Sequence, residues 1–93
     1  MSYRITEISF DPSKKDELFA YLDSQRVQIK AVNGLQLVHV IDIDEGQSKI
    51  IARYDSEESA VAATETVQGI LEGMGQFMTA PPNRRGGPIS WEI

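Results

Sequence analysis

Two apolar stripes at helical spacing, one on each side of a tight hairpin, constrain this chain more than any other feature of its sequence. The first comprises Leu18, Leu22, Ile29 and Val32, flanked by Phe19 and Val27. The second runs through Ala60, Ala63, Val67, Ile70, Leu71, Met74, Phe77 and Met78. Steps of three, four and seven residues put each set along one side of a helix. Between them, Asp44-Glu45-Gly46-Gln47 reads as a hairpin connection, with Gly46 suited to a positive φ. A helix with a single apolar side needs a surface to lie on, and the remaining segments are short and strand-like.

Tyr3 to Phe10 alternates but changes phase. Tyr3 and Ile5 share one face and Ile8 and Phe10 the other, which predicts either a bulge near Thr6–Glu7 or a strand covered on both faces. Asp11-Pro12 starts the first helix, since Asp11 can cap free amides and Pro12 fits the first helical position. Asn33-Gly34 ends it. Leu35 to Ile43 reads as a strand, with Leu35, Leu37, Ile41 and Ile43 around His39 on one face. Its other face, Gln36, Val38, Val40 and Asp42, is half apolar, as expected of a strand covered on both sides. Lys49 to Tyr54 returns. Asp55-Ser56-Glu57-Glu58 spells a capping box in which Asp55 would accept from the Glu58 amide, and its acidity suits the helix dipole. Pro81-Pro82 stops the second helix. Asn83 to Gly87 is expected to loop, and Pro88 to Ile93 to form the last strand with Ile89, Trp91 and Ile93 on one face.

The expected fold is therefore α+β: a single ferredoxin-like βαββαβ domain over residues 1–93, with a four-stranded antiparallel sheet. Both helices should cover one face through right-handed crossovers. The reverse face would keep some of Val38, Val40, Ile51 and their neighbours. Ninety-three residues bury only roughly 60–65% of the unfolded surface, so pairing two such faces into a homodimer is a physically sensible way to cover them.

A net charge of −5 sets the chain against phosphate backbones and anionic bilayers, so neither nucleic acid nor membrane is an expected partner. No apolar run approaches the ~20 residues of a spanning helix. The segment Met-Ser-Tyr-Arg-Ile-Thr-Glu carries an acidic residue where a secretory signal would be apolar. With no cysteine, disulfides, thiolate nucleophiles and Cys-based metal sites are excluded, and a cytoplasmic location is the simplest expectation.

Three stretches carry a family likeness: Asn33-Gly34-Leu35, the run Tyr54-Asp55-Ser56-Glu57-Glu58-Ser59-Ala60, and the closing Trp91-Glu92-Ile93. Together they resemble the antibiotic biosynthesis monooxygenase-like domain of the dimeric α/β-barrel superfamily, across essentially the whole chain. The resemblance implies a homodimer whose two sheets close into a barrel, with a pocket between each sheet and its helices. It also implies a small-molecule enzyme: relatives oxygenate polyphenolic or quinol compounds without metal or flavin, others degrade haem, isomerise, or have no known activity. Haem-degrading relatives use an Asn, a Trp and a helix-borne His. The second helix here has no histidine, and Tyr54 closes the third strand where a Trp would be needed. No cofactor is expected.

Each candidate has a functional and a packing reading. His39, the only histidine, is suited to take a phenolic proton near neutral pH, or it is a structural residue or part of a dimer seam. Tyr54 shares parity with Ile50 and Ala52, so it should point toward the helices, to stack on a substrate ring or to plug the core. Trp91 could wall an aromatic pocket or simply pack. Arg53 should face away from Tyr54, to an interface ion pair or as an oxyanion stabiliser. Gly69, Gly73 and Gly75 weaken the second helix. They mark a close approach or a break near Gly73, or a mobile pocket wall lined by Met74, Phe77 and Met78.

Asp42-Ile43-Asp44-Glu45-Gly46 fails as a calcium loop, because its glycine comes one position early and Arg53 stands at the twelfth position. Arg84-Arg85-Gly86-Gly87 follows a helix and opens a strand, the wrong order for a phosphate loop, and reads as a connection, with an anion role as the alternative. The leading functional expectation is a cofactor-independent monooxygenase-like enzyme acting on an aromatic or quinol-type compound, with His39 and Tyr54 catalytic and Trp91, Met74, Phe77 and Met78 binding substrate. The alternative is a non-catalytic dimer that binds a small apolar or aromatic ligand, or a purely structural one.

Overall fold

The computed structural model describes residues 1–93. Strand β1 (Ser2–Ser9) is followed by a 3-10 turn (Pro12–Lys14) and by helices α1 (Lys15–Ser24) and α2 (Arg26–Lys30). Strands β2 (Leu35–Asp44) and β3 (Gln47–Tyr54) form the hairpin. Helices α3 (Glu57–Ala62) and α4 (Thr64–Gly73), a second 3-10 turn (Gly75–Phe77) and β4 (Asn83–Pro88) complete the chain. The sheet runs β2-β3-β1-β4 with every neighbouring pair antiparallel, which is the ferredoxin-like arrangement.

The phase change in β1 needs no bulge. Its register with β3 is unbroken from Ser2↔Tyr54 to Ser9↔Gln47. Ser2, Thr6, Ile8 and Phe10 lie buried on one side, while Tyr3 and Ile5 line the other, so the strand carries apolar residues on both faces. Irregularity falls in β2 instead, where the register shifts between Leu35 and Leu37 and between Asp42 and Asp44. The first shift brings Leu35 to the helix side, packed beside Tyr54, Ala60 and Ala63, rather than beside Leu37. Val38 and Val40, expected on the reverse face, pair with Ala52 and Ile50 and face the helices. Only Ile51 of that trio lies on the reverse.

The first expected helix is interrupted once, at Gln25 (ψ 2°), and the second twice, at Ala63 (ψ −8°) and at Met74 (ψ −10°), the latter being the break expected near Gly73. The caps differ by one position from the sequence pattern at the second helix. Ser56, not Asp55, caps α3, its Oγ accepting from the Ser59 amide at 3.1 Å. The Asp55 amide, which Glu58 would have reached back to in the expected capping box, donates instead to the Gly34 carbonyl at 2.8 Å. At the first helix Asp11 caps as expected, accepting from the Ser13 amide at 3.0 Å.

The core is split in two. Ile8, Phe10, Leu18, Met74 and Phe77 form one cluster, and Tyr54, Ala60 and Ala63 the other.

The last strand lies earlier than expected, over Asn83–Pro88 rather than Pro88–Ile93. The cause is where the chain meets β1. Phe10 bridges Met78, and the Thr79 amide donates to the Ser9 carbonyl at 2.9 Å. The chain thus starts down β1 before the prolines and reaches its far end by Ser2↔Pro88. Gly86 suits this passage, since a Cβ there would collide with the Tyr3 carbonyl oxygen. Beyond Pro88 only the Ile89 amide finds a partner, the Met1 carbonyl at 3.1 Å.

Candidate functional site

The helix side of β2 is not sealed. Val38 and Val40 stand there with Ile50 of β3, and α1 and α2 pass above them with Phe19, Leu22 and Ile29 turned inward. The space left is a groove of about 710 Å³, within the range of small-molecule sites. Its walls are mainly apolar; Asp23, Arg26, Lys30 and Gln36 supply the polar groups. Arg26 is held by Asp23, Nε to Oδ1 at 2.9 Å, across one helical turn that spans the Gln25 break. Because β2 is the sheet's outer strand, one long side of the groove borders backbone that no strand of this chain pairs.

Two ion pairs fix the helical layer on the sheet. Arg4 on β1 grips Glu57 in the first turn of α3 with both terminal nitrogens, at 3.0 and 2.8 Å. Ser2 donates to the same carboxylate. These bonds hold the Glu57 carboxyl down to about 2, the Arg4 contact being the larger cause, and raise the Arg4 guanidinium in return. On the other side Lys15 of α1 meets Asp42 of β2 at 2.8 Å and, with Ser48, holds that carboxyl below its ordinary range.

None of the six candidate site residues lines the groove. His39 is opposite Ile51 on the reverse face and exposed. Tyr54, 1% exposed, is on the helix side in the smaller core cluster. The two proposed catalytic side chains therefore stand on opposite faces of the sheet. Met74 and Phe77 are buried in the larger cluster and Met78 packs against it. Trp91 lies beyond β4 and is 78% exposed.

Arg53 faces away from Tyr54, as parity required, and donates from Nε to Gln36 Oε1 at 2.8 Å. The two arginines of the expected loop split across β4. Arg84 is opposite Thr6 on the helix side, its Nη2 enclosed without a hydrogen-bond partner, and Arg85 is opposite Ile5 on the other. Gly73 is a close approach, because a Cβ would strike the Tyr21 hydroxyl, which donates to the Ile70 carbonyl at 2.8 Å.

The apolar groove residues were visible in sequence as the first helical stripe and the faces of the strands, whereas Asp23, Arg26 and Lys30 carried no signal. The available signal was the second apolar face of Leu35–Ile43: Val38 and Val40 needed a cover that the first helix, interrupted at Gln25, gives only in part.

No family model matches this chain, and no curated protein matches it by sequence. Solved structures do match in fold. A protein of Nitrosomonas europaea provisionally assigned as an antibiotic biosynthesis monooxygenase superposes with a TM-score of 0.78 at 15% identity, covering 98% of this chain and 100% of its own. A second such protein, from Bordetella bronchiseptica, gives 0.78 at 12% identity, covering 97% of each chain. A dimeric ferredoxin-like protein from an uncultured marine organism gives 0.75 at 14%, covering 99% of this chain and 90% of its own. The chain thus has the fold of the antibiotic biosynthesis monooxygenase-like domains. No helix is long and apolar enough to cross a membrane.

Proposed function

We propose that residues 1–93 act as one cytoplasmic, homodimeric domain that binds an aromatic or quinol-type compound in the groove beside β2 and oxygenates it without a cofactor. The observation that carries this reading is the groove itself: a cavity of about 710 Å³ with mainly apolar walls and its charges in a short stretch of α1–α2. Such a lining takes a flat apolar ring system, and the cations at its rim, Arg26 and Lys30, favour an ionised hydroxyl.

An ionised phenolic ring can itself supply the electrons that dioxygen needs. At a ring carbon bearing two hydrogens, one oxygen atom becomes the new carbonyl. The other leaves as water with those hydrogens, so no external reductant enters the balance. The protein's part is to desolvate the ring and hold its anionic form. His39 faces away from this groove, so the reading assigns it no proton transfer within its own subunit.

Dimerisation is supported by the reverse face, where Arg85, Ile5, Ile51 and His39 form one row across all four strands. An apolar pair flanked by polar ends in the middle of a sheet suits a facing copy.

A second reading, binding without turnover, is favoured by the absence of ionisable groups where helix and sheet face each other: Phe19, Leu22 and Ile29 on one side and Val38, Val40 and Ile50 on the other. Oxygen uptake with a hydroxylated anthrone or naphthalene, alongside fluorescence titration of the same compound, separates the two. The enzyme reading requires uptake that falls at least about tenfold in a groove-filling Leu22→Trp variant of unchanged circular dichroism. Binding that is lost in that variant, with no uptake in either protein, selects the second reading. Neither uptake nor binding removes both.

A further inference from the structure

β1 divides its backbone bonds between two neighbours. The Phe10 amide donates to the Gly46 carbonyl in the turn between β2 and β3, and the Ile89 amide to the Met1 carbonyl, each in the register of its strand pair. Bonds of an antiparallel ladder recur at every second residue, so even positions of β1 bond to β3 and odd ones to β4. Thr6 and Arg84 are therefore a non-hydrogen-bonded pair of β1 and β4, the kind whose side chains stand closest, with Cβ atoms about 4.5–5.5 Å apart.

Both lie on the helix side. Thr6 is 4% exposed, and Arg84 is half-buried with its Nη2 enclosed and bonded to nothing in the protein. The neighbouring acid is already used. Arg4, two residues along β1 on the same face, takes both oxygens of Glu57, and Ser2 adds a third bond to that carboxylate. The other ion pairs engage Lys15, Arg26 and Lys49, so no carboxylate of the chain answers Arg84. Two guanidiniums thus share one end of the sheet with a single carboxylate. An enclosed N–H on a charged group is costly to leave without an acceptor.

We propose that Thr6 and Arg84 form a seat for a small oxyanion, a carboxylate or a phosphoryl group, on the helix side at the β4 edge. The guanidinium supplies charge and a planar set of donors, and the Thr6 hydroxyl beside it supplies one more. The seat is separate from the groove. Val40 and Ile50, which line the groove, stand at the far end of the same cross-strand row, and the seat does not depend on what they bind. With a net charge of −5 the chain does not attract anions from a distance, so close contact with these two side chains has to hold the ligand.

Urea unfolding in sodium phosphate and in sodium acetate, each against sodium chloride at equal ionic strength, tests the seat. At least one of the two anions should raise the midpoint along a saturating single-site curve. Phosphate alone would mark a phosphoryl ligand, and acetate alone a carboxylate. Arg84→Met should weaken the apparent Kd at least about tenfold, and in chloride it should be no less stable than the wild type, because an enclosed unpaired cation is gone. Thr6→Val should weaken Kd about threefold or more. Lys14→Met, which removes a cation from the 3-10 turn before α1, should leave Kd unchanged. In the unaltered protein, titration of the same anion should shift the Thr6 and Arg84 amide resonances before others. Midpoints that follow ionic strength alone overturn the proposal. So does an equal anion response in Arg84→Met and the wild type, or an Arg84→Met protein less stable in chloride, or resonance shifts confined to other residues.

Discussion

Arg4 and Glu57 form a two-pronged ion pair that ties the first turn of α3 to the middle of the sheet, with nitrogen–oxygen distances of 3.0 and 2.8 Å. The Arg4 side chain is only 12% exposed and that of Glu57 is 43% exposed, so the pair sits at the edge of the core with its carboxylate half in water. Its consequence is a pH dependence. The Glu57 carboxyl titrates near 4.5 in the open chain and near 2 when folded, so the folded state releases this proton more readily. The stabilisation is therefore complete above about 4.5 and is lost as pH falls toward 2. Urea midpoints measured from pH 7 down to 2 should fall through that window in the wild-type protein and fall less in Glu57→Gln. Added salt should narrow the difference, because the carboxylate is partly solvated. Parallel curves for the two proteins would show that Glu57 does not carry the effect.

Glycines 34 and 69 should respond to alanine in opposite directions. Gly34 has φ +81°, and a Cβ there would meet Ser59 Oγ and lie 2.7 Å from Asp55 Oδ1. Left-handed strain and overpacking together predict a loss of about 2–4 kcal/mol for Gly34→Ala. Gly69 lies inside α4 without a positive φ, and a Cβ added there would meet nothing within 4 Å. Gly69→Ala should gain about 0.5–1 kcal/mol. Chemical denaturation of the two variants checks both signs at once.

The same contrast explains how far the sequence carried. Period and turn chemistry led to the element order, the Asn33-Gly34 helix end, the hairpin and the direction of Tyr54, because each depends on neighbours within a few residues. The errors lie where distant segments compete. Asp55 fits a capping box, but its amide is taken by the Gly34 carbonyl, and Ser56 caps instead. Leu35 alternates with Leu37 in sequence, yet a register shift turns it to the other face. Ile89, Trp91 and Ile93 have strand pattern, but the pairing that starts at Phe10–Met78 exhausts β1 before them. The candidate site was less legible than the fold, because a cavity depends on how completely a helix covers a strand, and no periodicity encodes that.

Tyr54 is 1% exposed against Ala60 and Ala63 and lies outside the groove, so its ring should matter for stability more than for ligand binding. Truncation to alanine leaves a cavity and should cost about 3–5 kcal/mol, a large share of a small domain's stability. Tyr54→Phe keeps the ring and should cost about 1 kcal/mol or less. That variant should bind 8-anilinonaphthalene-1-sulfonate in the groove with wild-type affinity. A Tyr54→Phe protein with unchanged denaturation but at least tenfold weaker dye binding would put the hydroxyl in the site after all.

The reverse face offers a sharper test of association than any edge residue. Ile51 sits between Ile5 and His39 in the row that crosses the sheet, so its side chain would meet the facing copy near the centre of the contact. A carboxylate at that position is solvated in a lone subunit and stripped of water in a dimer, with Ile5 as its apolar neighbour. Ile51→Glu should therefore leave the circular dichroism of the fold unchanged and reduce the particle from twice the 10.4 kDa chain mass to a single chain at micromolar concentration. Lowering the pH toward the ordinary carboxylate range should restore some of the dimer, since the protonated side chain is far less costly to bury. An Ile51→Glu protein that stays dimeric at neutral pH would move the interface off this face.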